Sequence, residues 1–177
     1  MHELLQQIFS GLAAGAVYAS VALALVMIYR ATDLVNFAQG EMAMFSTYIA
    51  WSLVTVGLPF WAAFLITLAA SFIGGMAIER IIIRPVENAP VLAAVIVTIG
   101  LGLIFNSLAG WIYSYTVQDF PSPFPDRPLF GALITTQELG VIGVTLVMLL
   151  LLFLFFRFTK TGLAMRAAAQ NPMSARL

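Results

Sequence analysis

Four long stretches of this chain carry no charged side chain, and they decide what it can fold into. The first runs from Leu4 to Ile28; the others lie between Glu41 and Glu79, Glu87 and Asp119, and Glu138 and Arg157. A helix needs about 20 apolar residues to cross a bilayer, and each gap is near that length or longer. A water-soluble core of comparable size needs a polar exterior, with about 25% charged residues in an ordinary domain. Here the charged fraction is 9% and the mean hydropathy +1.00. Lipid is therefore the solvent for most of the surface, and the expected fold is an all-α polytopic transmembrane helix bundle.

The run between Glu41 and Glu79 is too long for one crossing and contains Val56-Gly57-Leu58-Pro59, a turn signal. It divides into helices over Glu41–Val56 and Phe60–Ile78, joined by a tight hairpin. With Ile8–Tyr29, Val91–Ser114 and Leu139–Phe156 the pattern predicts about five spans. Lys and Arg in short connections set the orientation. Arg157, Lys160, Arg166 and Arg176 place the C-terminal end in the cytoplasm, and the Arg80–Pro90 loop and Arg30 fall on the same side. The N-terminus and the Tyr113–Glu138 loop then lie outside.

That outer loop holds four prolines between Gln118 and Pro128, which deny it a helix. A lid over the bundle and a docking surface for a soluble partner are the two readings. Net charge is zero and no motif interleaves aromatics with Arg, so nucleic acid is not an expected partner. There is no cysteine, and His2 is the single histidine, so neither a metal cluster nor thiol chemistry is expected. No Lys or Arg precedes Arg30, and a signal peptide is not expected. No His, Cys or acid cluster supports an enzyme.

Polar residues inside the apolar pattern mark the places where function can sit. Gly11, Gly15 and Ala19 recur every four positions and line one face of the first helix, where small residues permit close helix packing. The stretch Ala31-Thr32-Asp33-Leu34-Val35-Asn36-Phe37-Ala38-Gln39-Gly40-Glu41 separates two apolar helices, and Asp33, Asn36 and Gly40 disfavour continuous helix. The helix that follows is short for a full crossing. A broken or re-entrant element results, of the kind that transporters place at substrate sites, with Asn36, Gln39 and Glu41 as candidate pathway residues. The alternative is a plain cytoplasmic loop, with Asp33 capping the helix and Glu41 near the interface. In the fourth span, Thr98 and Asn106 are secondary pathway candidates and are expected to bond to neighbouring helices. Near the C-terminus, Gly162 to Asn171-Pro172 reads as a short alanine-rich cytoplasmic helix, better suited to docking a protein than to lying on lipid.

Three segments carry a resemblance: Leu34-Val35-Asn36-Phe37-Ala38-Gln39-Gly40-Glu41-Met42, Thr98-Ile99-Gly100-Leu101, and Gly162-Leu163-Ala164-Met165-Arg166-Ala167-Ala168-Ala169-Gln170-Asn171-Pro172. Together with Gly15-Ala16-Val17-Tyr18-Ala19, they resemble the membrane-spanning permease of ABC importers for branched-chain amino acids. The resemblance implies one permease domain over residues 1–177 in a prokaryotic plasma membrane, truncated relative to the family, with residues 158–177 as the cytoplasmic coupling segment. It implies Gly162, Arg166, Ala167, Ala168 and Asn171 as contacts to an ATPase. It also implies a second permease, homologous or identical, two cytoplasmic ATPase subunits, and a periplasmic or lipid-anchored binding protein. ATP would bind to those partners, since this chain has no phosphate loop, and no cofactor is expected here. An ion-gradient-driven secondary transporter is the alternative, but acids and bases sit mainly at span ends. A non-transporting membrane scaffold is another.

Overall fold

A computed structural model describes residues 2–32, 34–87, 89–124, 127–129, 134–160 and 162–163. Five helices dominate: α1 (His2–Thr32), α2 (Gln39–Thr55), α3 (Phe60–Ile78), α4 (Val91–Tyr113) and α5 (Thr136–Phe158). Four helical stretches are long and apolar enough to cross a membrane, namely Glu3–Arg30, Phe60–Val86, Val91–Tyr113 and Thr136–Phe158. The all-α bundle is thus the fold of the chain. The fifth helix, α2, has 17 residues. At roughly 26 Å it falls short of the hydrocarbon core of about 30 Å.

Residues Thr32–Pro123 form one compact unit, in which α2 packs against both α3 and α4. The α2–α3 hairpin turns at Gly57, whose φ of +104° suits glycine. Leu58 N–H closes the turn on the Leu53 carbonyl, and farther along Ser71 Oγ donates to Ser46 Oγ at 2.9 Å. Small residues make close packing possible. Ala38, Ala63, Ala94, Gly102 and Ala109 are buried, whereas Leu65, Phe72, Ile96, Leu103 and Trp111 point outward. This inversion of the soluble pattern follows from lipid solvation: large apolar groups gain nothing by leaving hydrocarbon, so close backbone approach drives association instead.

The connection expected as a loop over Arg80–Pro90 is mostly helical. Beyond Ile78 the helix continues through a π-helical turn, Glu79–Ile83, and a 3-10 turn, Arg84–Val86. Glu79 and Arg80 end the charge-free run, but a charge ends burial in lipid and not helix formation. The first breaker is Pro85, near the start of the 3-10 turn, where a missing N–H leaves nothing unsatisfied.

At its far end α4 stops at Ser114, which adopts φ +70° and turns the chain out of the helix. The segment that follows is tied to the other two helices. Trp51 Nε1 of α2 donates to the Asp119 carbonyl at 3.2 Å, and Phe120 meets Phe60 edge-on at 6.0 Å. Of the two readings of this proline-rich loop, its first part thus has the contacts of a lid over α2 and α3.

The other unit comprises Met1–Ala31 and Phe124–Leu177. Pro128–Leu129 pairs antiparallel with Ile134–Thr135, a short ladder that the sequence reading did not anticipate. Thr135 then caps α5 with a capping box: its hydroxyl accepts from Glu138 N–H at 3.2 Å, and Glu138 Oε2 accepts from Thr135 N–H at 2.8 Å. On α1, Gly11, Gly15 and Ala19 are exposed, and a Cβ on either glycine would meet open space.

Candidate membrane pathway site

The position of the α2 N-terminus is the central geometric fact. A Cβ placed on Gly102 would lie 3.5 Å from Ala38 Cα and 3.7 Å from Glu41 Cγ. Gly102 is eleven residues from Val91 and eleven from Tyr113, the midpoint of α4, so it sits roughly 17 Å from either end. The first turn of α2 therefore begins halfway along a membrane-length helix.

From there α2 and α4 run in the same direction. Glu41 pairs with Asn106, Phe45 with Phe105 at 5.2 Å, and Tyr48 stacks on Tyr113 at 4.7 Å. Of the two readings of residues 31–41, the broken element fits this register and a plain interfacial loop does not. Glu41 lies level with the middle of α4. Asp33, offered as a cap, lies outside the described residues.

The sequence-derived pathway residues divide into two groups. Asn106 Nδ2 donates to Glu41 Oε2 at 3.1 Å; Glu41 is half-buried and Asn106 exposed. Asn36 instead shapes the backbone. Its Oδ1 accepts from Ala38 N–H at 3.0 Å, an Asx turn that starts α2, and its Nδ2 approaches Met42 Sδ at 3.7 Å. Gln39 is half-buried in the first turn of α2. Among the described residues Thr98 bonds to its own helix and not to a neighbouring one: it is 1% exposed, and its hydroxyl donates to the Val95 carbonyl at 3.0 Å. Sequence reasoning missed Gly102 as the seat of the α2 terminus, although Gly100-Leu101-Gly102 marks the close approach. It also missed Phe45 and Phe105, which apolar composition alone cannot single out.

At the end of α5, Thr159 leaves the helix in extended geometry, its N–H and hydroxyl both donating to the Phe155 carbonyl. Its hydroxyl then accepts from Gly162 N–H at 3.0 Å, and its carbonyl from Leu163 N–H at 3.0 Å, so it opens a new helical turn. A Cβ on Gly162 would lie 2.5 Å from the Phe155 carbonyl oxygen and 2.7 Å from Phe156 Cα. Only glycine fits there without moving backbone. Arg166, Ala167, Ala168 and Asn171 lie outside the described residues.

Four membrane-length helices, two of them packed against a helix that starts level with the middle of α4 and carries polar side chains at its start, define a multi-pass membrane protein of the transporter class. Known proteins make the assignment specific. The family described as "Branched-chain amino acid transport system / permease component" matches residues 7–177, and the chain belongs to that family. It is 31% identical to the high-affinity branched-chain amino acid transport system permease protein LivH of Escherichia coli (strain K12), covering 94% of this chain and 59% of that protein. LivH of Salmonella typhimurium (strain LT2) is 30% identical, again over 94% of this chain and 59% of the relative. BraD of Pseudomonas aeruginosa is 27% identical over 97% of this chain and 61% of its own length. The chain thus spans about three-fifths of the length of these relatives. No solved structure gives a significant match.

Proposed function

We propose that the chain forms part of the wall of the translocation pathway in an ATP-driven importer of branched-chain amino acids or related small polar solutes. The observation that carries this reading is the family match over residues 7–177, on a chain whose α2 begins beside Gly102 at mid-depth. A second permease subunit completes the pathway, a binding protein outside the membrane delivers the solute, and two cytoplasmic ATPases supply the energy. The N-terminus lies outside and the C-terminal segment in the cytoplasm, in keeping with the distribution of Lys and Arg. The turn opened by Thr159 and Gly162 starts the segment that an ATPase grips. In this reading ATP hydrolysis belongs to the partners.

Glu41 at mid-depth gives the gradient-driven reading a specific footing, because ionisable groups inside a bundle serve as ion relays. One experiment separates the two. Uptake by the assembled complex is expected to require ATP and to persist after the proton gradient is collapsed; uptake that follows the gradient would replace the ATP-driven reading. In parallel, Arg166→Glu is expected to reduce recovery of the ATPase on co-purification while membrane insertion stays intact. Undiminished ATPase recovery would remove the coupling role from this segment.

A further inference from the structure

We infer that Glu41, held in place by Asn106, is the point at mid-depth where the pathway takes the ammonium group of an amino acid. This rests on the permease reading above and names the recognition chemistry of that site. The argument starts from cost. An acid at the centre of a membrane helix is disfavoured by roughly 2.5–3.5 kcal/mol, so its presence beside Gly102 needs compensation. Two contributions are visible: the Asn106 amide donates one hydrogen bond to Oε2, and Glu41 sits in the first turn of α2, where the helix dipole favours negative charge.

Neither supplies a positive charge. Among the described residues no Lys or Arg forms an ion pair with Glu41. None occurs between Arg30 and Arg80 or between Arg84 and Arg127. A carboxylate has about four acceptor sites, and Asn106 fills one of them. About three acceptor sites remain, on a side chain that is only half-buried at the depth where α2 begins.

An ammonium group matches a half-buried carboxylate in charge and in donor count. One turn along α2 from Glu41 stands Phe45, on the same face by its spacing of four, and its ring meets Phe105 edge-on at 5.2 Å. Phe105 is adjacent to Asn106 in sequence. Carboxylate and aromatic pair thus lie one helical turn apart, which suits a small molecule with a cationic head and an aliphatic side chain. Asn106 is a positioning residue: it fixes one carboxylate oxygen and leaves the other for the cargo.

The test has two arms. In the full importer complex reconstituted in liposomes, Glu41→Gln keeps shape and hydrogen-bonding capacity but removes the charge. Leucine uptake is expected to fall by about tenfold or more, as loss of a charge-assisted hydrogen bond implies, with ATPase recovery unchanged and Glu41→Asp restoring part of it. In the wild-type chain in lipid nanodiscs, bound radiolabelled leucine is expected to be displaced by 3-methylbutylamine, which keeps the ammonium, and not by 4-methylpentanoate, which lacks it. Equal uptake by wild type and Glu41→Gln, displacement by the acid in preference to the amine, or absence of leucine binding to the wild-type chain would each overturn the assignment. A wild-type complex that takes up no solute would instead overturn the permease reading. Should Glu41→Gln fail to fold, the displacement arm decides alone.

Discussion

Gly102→Leu is expected to abolish most uptake by the importer, whereas Gly102→Ala retains it. The difference follows from distances. A single Cβ at this position would meet Ala38 and Glu41 at 3.5 to 3.9 Å, ordinary van der Waals contact. A leucine extends three further carbons into the volume held by the Ala38 backbone, and Ala38 is 0% exposed with no room to yield. Overpacking of this kind costs about 1–3 kcal/mol. Here it acts on the contact between α4 and the α2 terminus, so Glu41 is carried away from Asn106. Thermal unfolding in detergent and solute uptake, measured on both variants, check the expectation. Equal behaviour of Ala and Leu at this position would show that the α2 terminus is not held by Gly102.

The second large effect is expected at Gly162. In an ordinary helix Gly→Ala is favourable by about 1 kcal/mol. At this position the sign reverses, because the added Cβ would overlap the Phe155 carbonyl and Phe156 Cα, which are backbone atoms of α5. The turn that leaves Thr159 must open, and whatever follows it changes direction. Gly162→Ala is therefore expected to lower ATPase recovery at least as strongly as Arg166→Glu, with α5 and membrane insertion preserved. Leu163→Ala, which keeps the turn and shortens an exposed side chain, serves as the control. Unchanged ATPase recovery in Gly162→Ala would show that the geometry of this turn does not govern docking.

Much of the architecture was legible from punctuation. Charges and the Gly57-Leu58-Pro59 turn set α2, α3, α4 and α5 to within about three residues, because lipid forbids charge along a span and this hairpin turns at a residue tolerant of positive φ, whereas α1 begins at His2, ahead of the expected Ile8. The π-turn at Glu79–Ile83 was not legible, since three isoleucines flanked by charges look the same at the end of a span and in its continuation. The capping box could have been found in the spacing of Thr135 and Glu138, which was instead read as a loop boundary.

The site shows the same division. Asn36, Glu41 and Asn106 stood out as polar residues in apolar surroundings, but their roles depend on register. A shift of one turn between α2 and α4 would part Glu41 from Asn106, and no local pattern encodes that alignment. Thr98 stood out for the same reason and proved to satisfy its hydroxyl on its own helix. Composition alone cannot distinguish the two outcomes.

The half-length start of α2 has an electrical consequence. Before Ala38 the backbone of Leu34–Phe37 is non-helical, and its polar groups need partners from protein or water, because hydrocarbon offers none. Where water supplies those partners, the insulating slab would narrow to the stretch from Glu41 to the Tyr48–Tyr113 stack. A membrane voltage would drop across that short septum and not across the full bilayer, and a gate there needs to close over only a few helical turns.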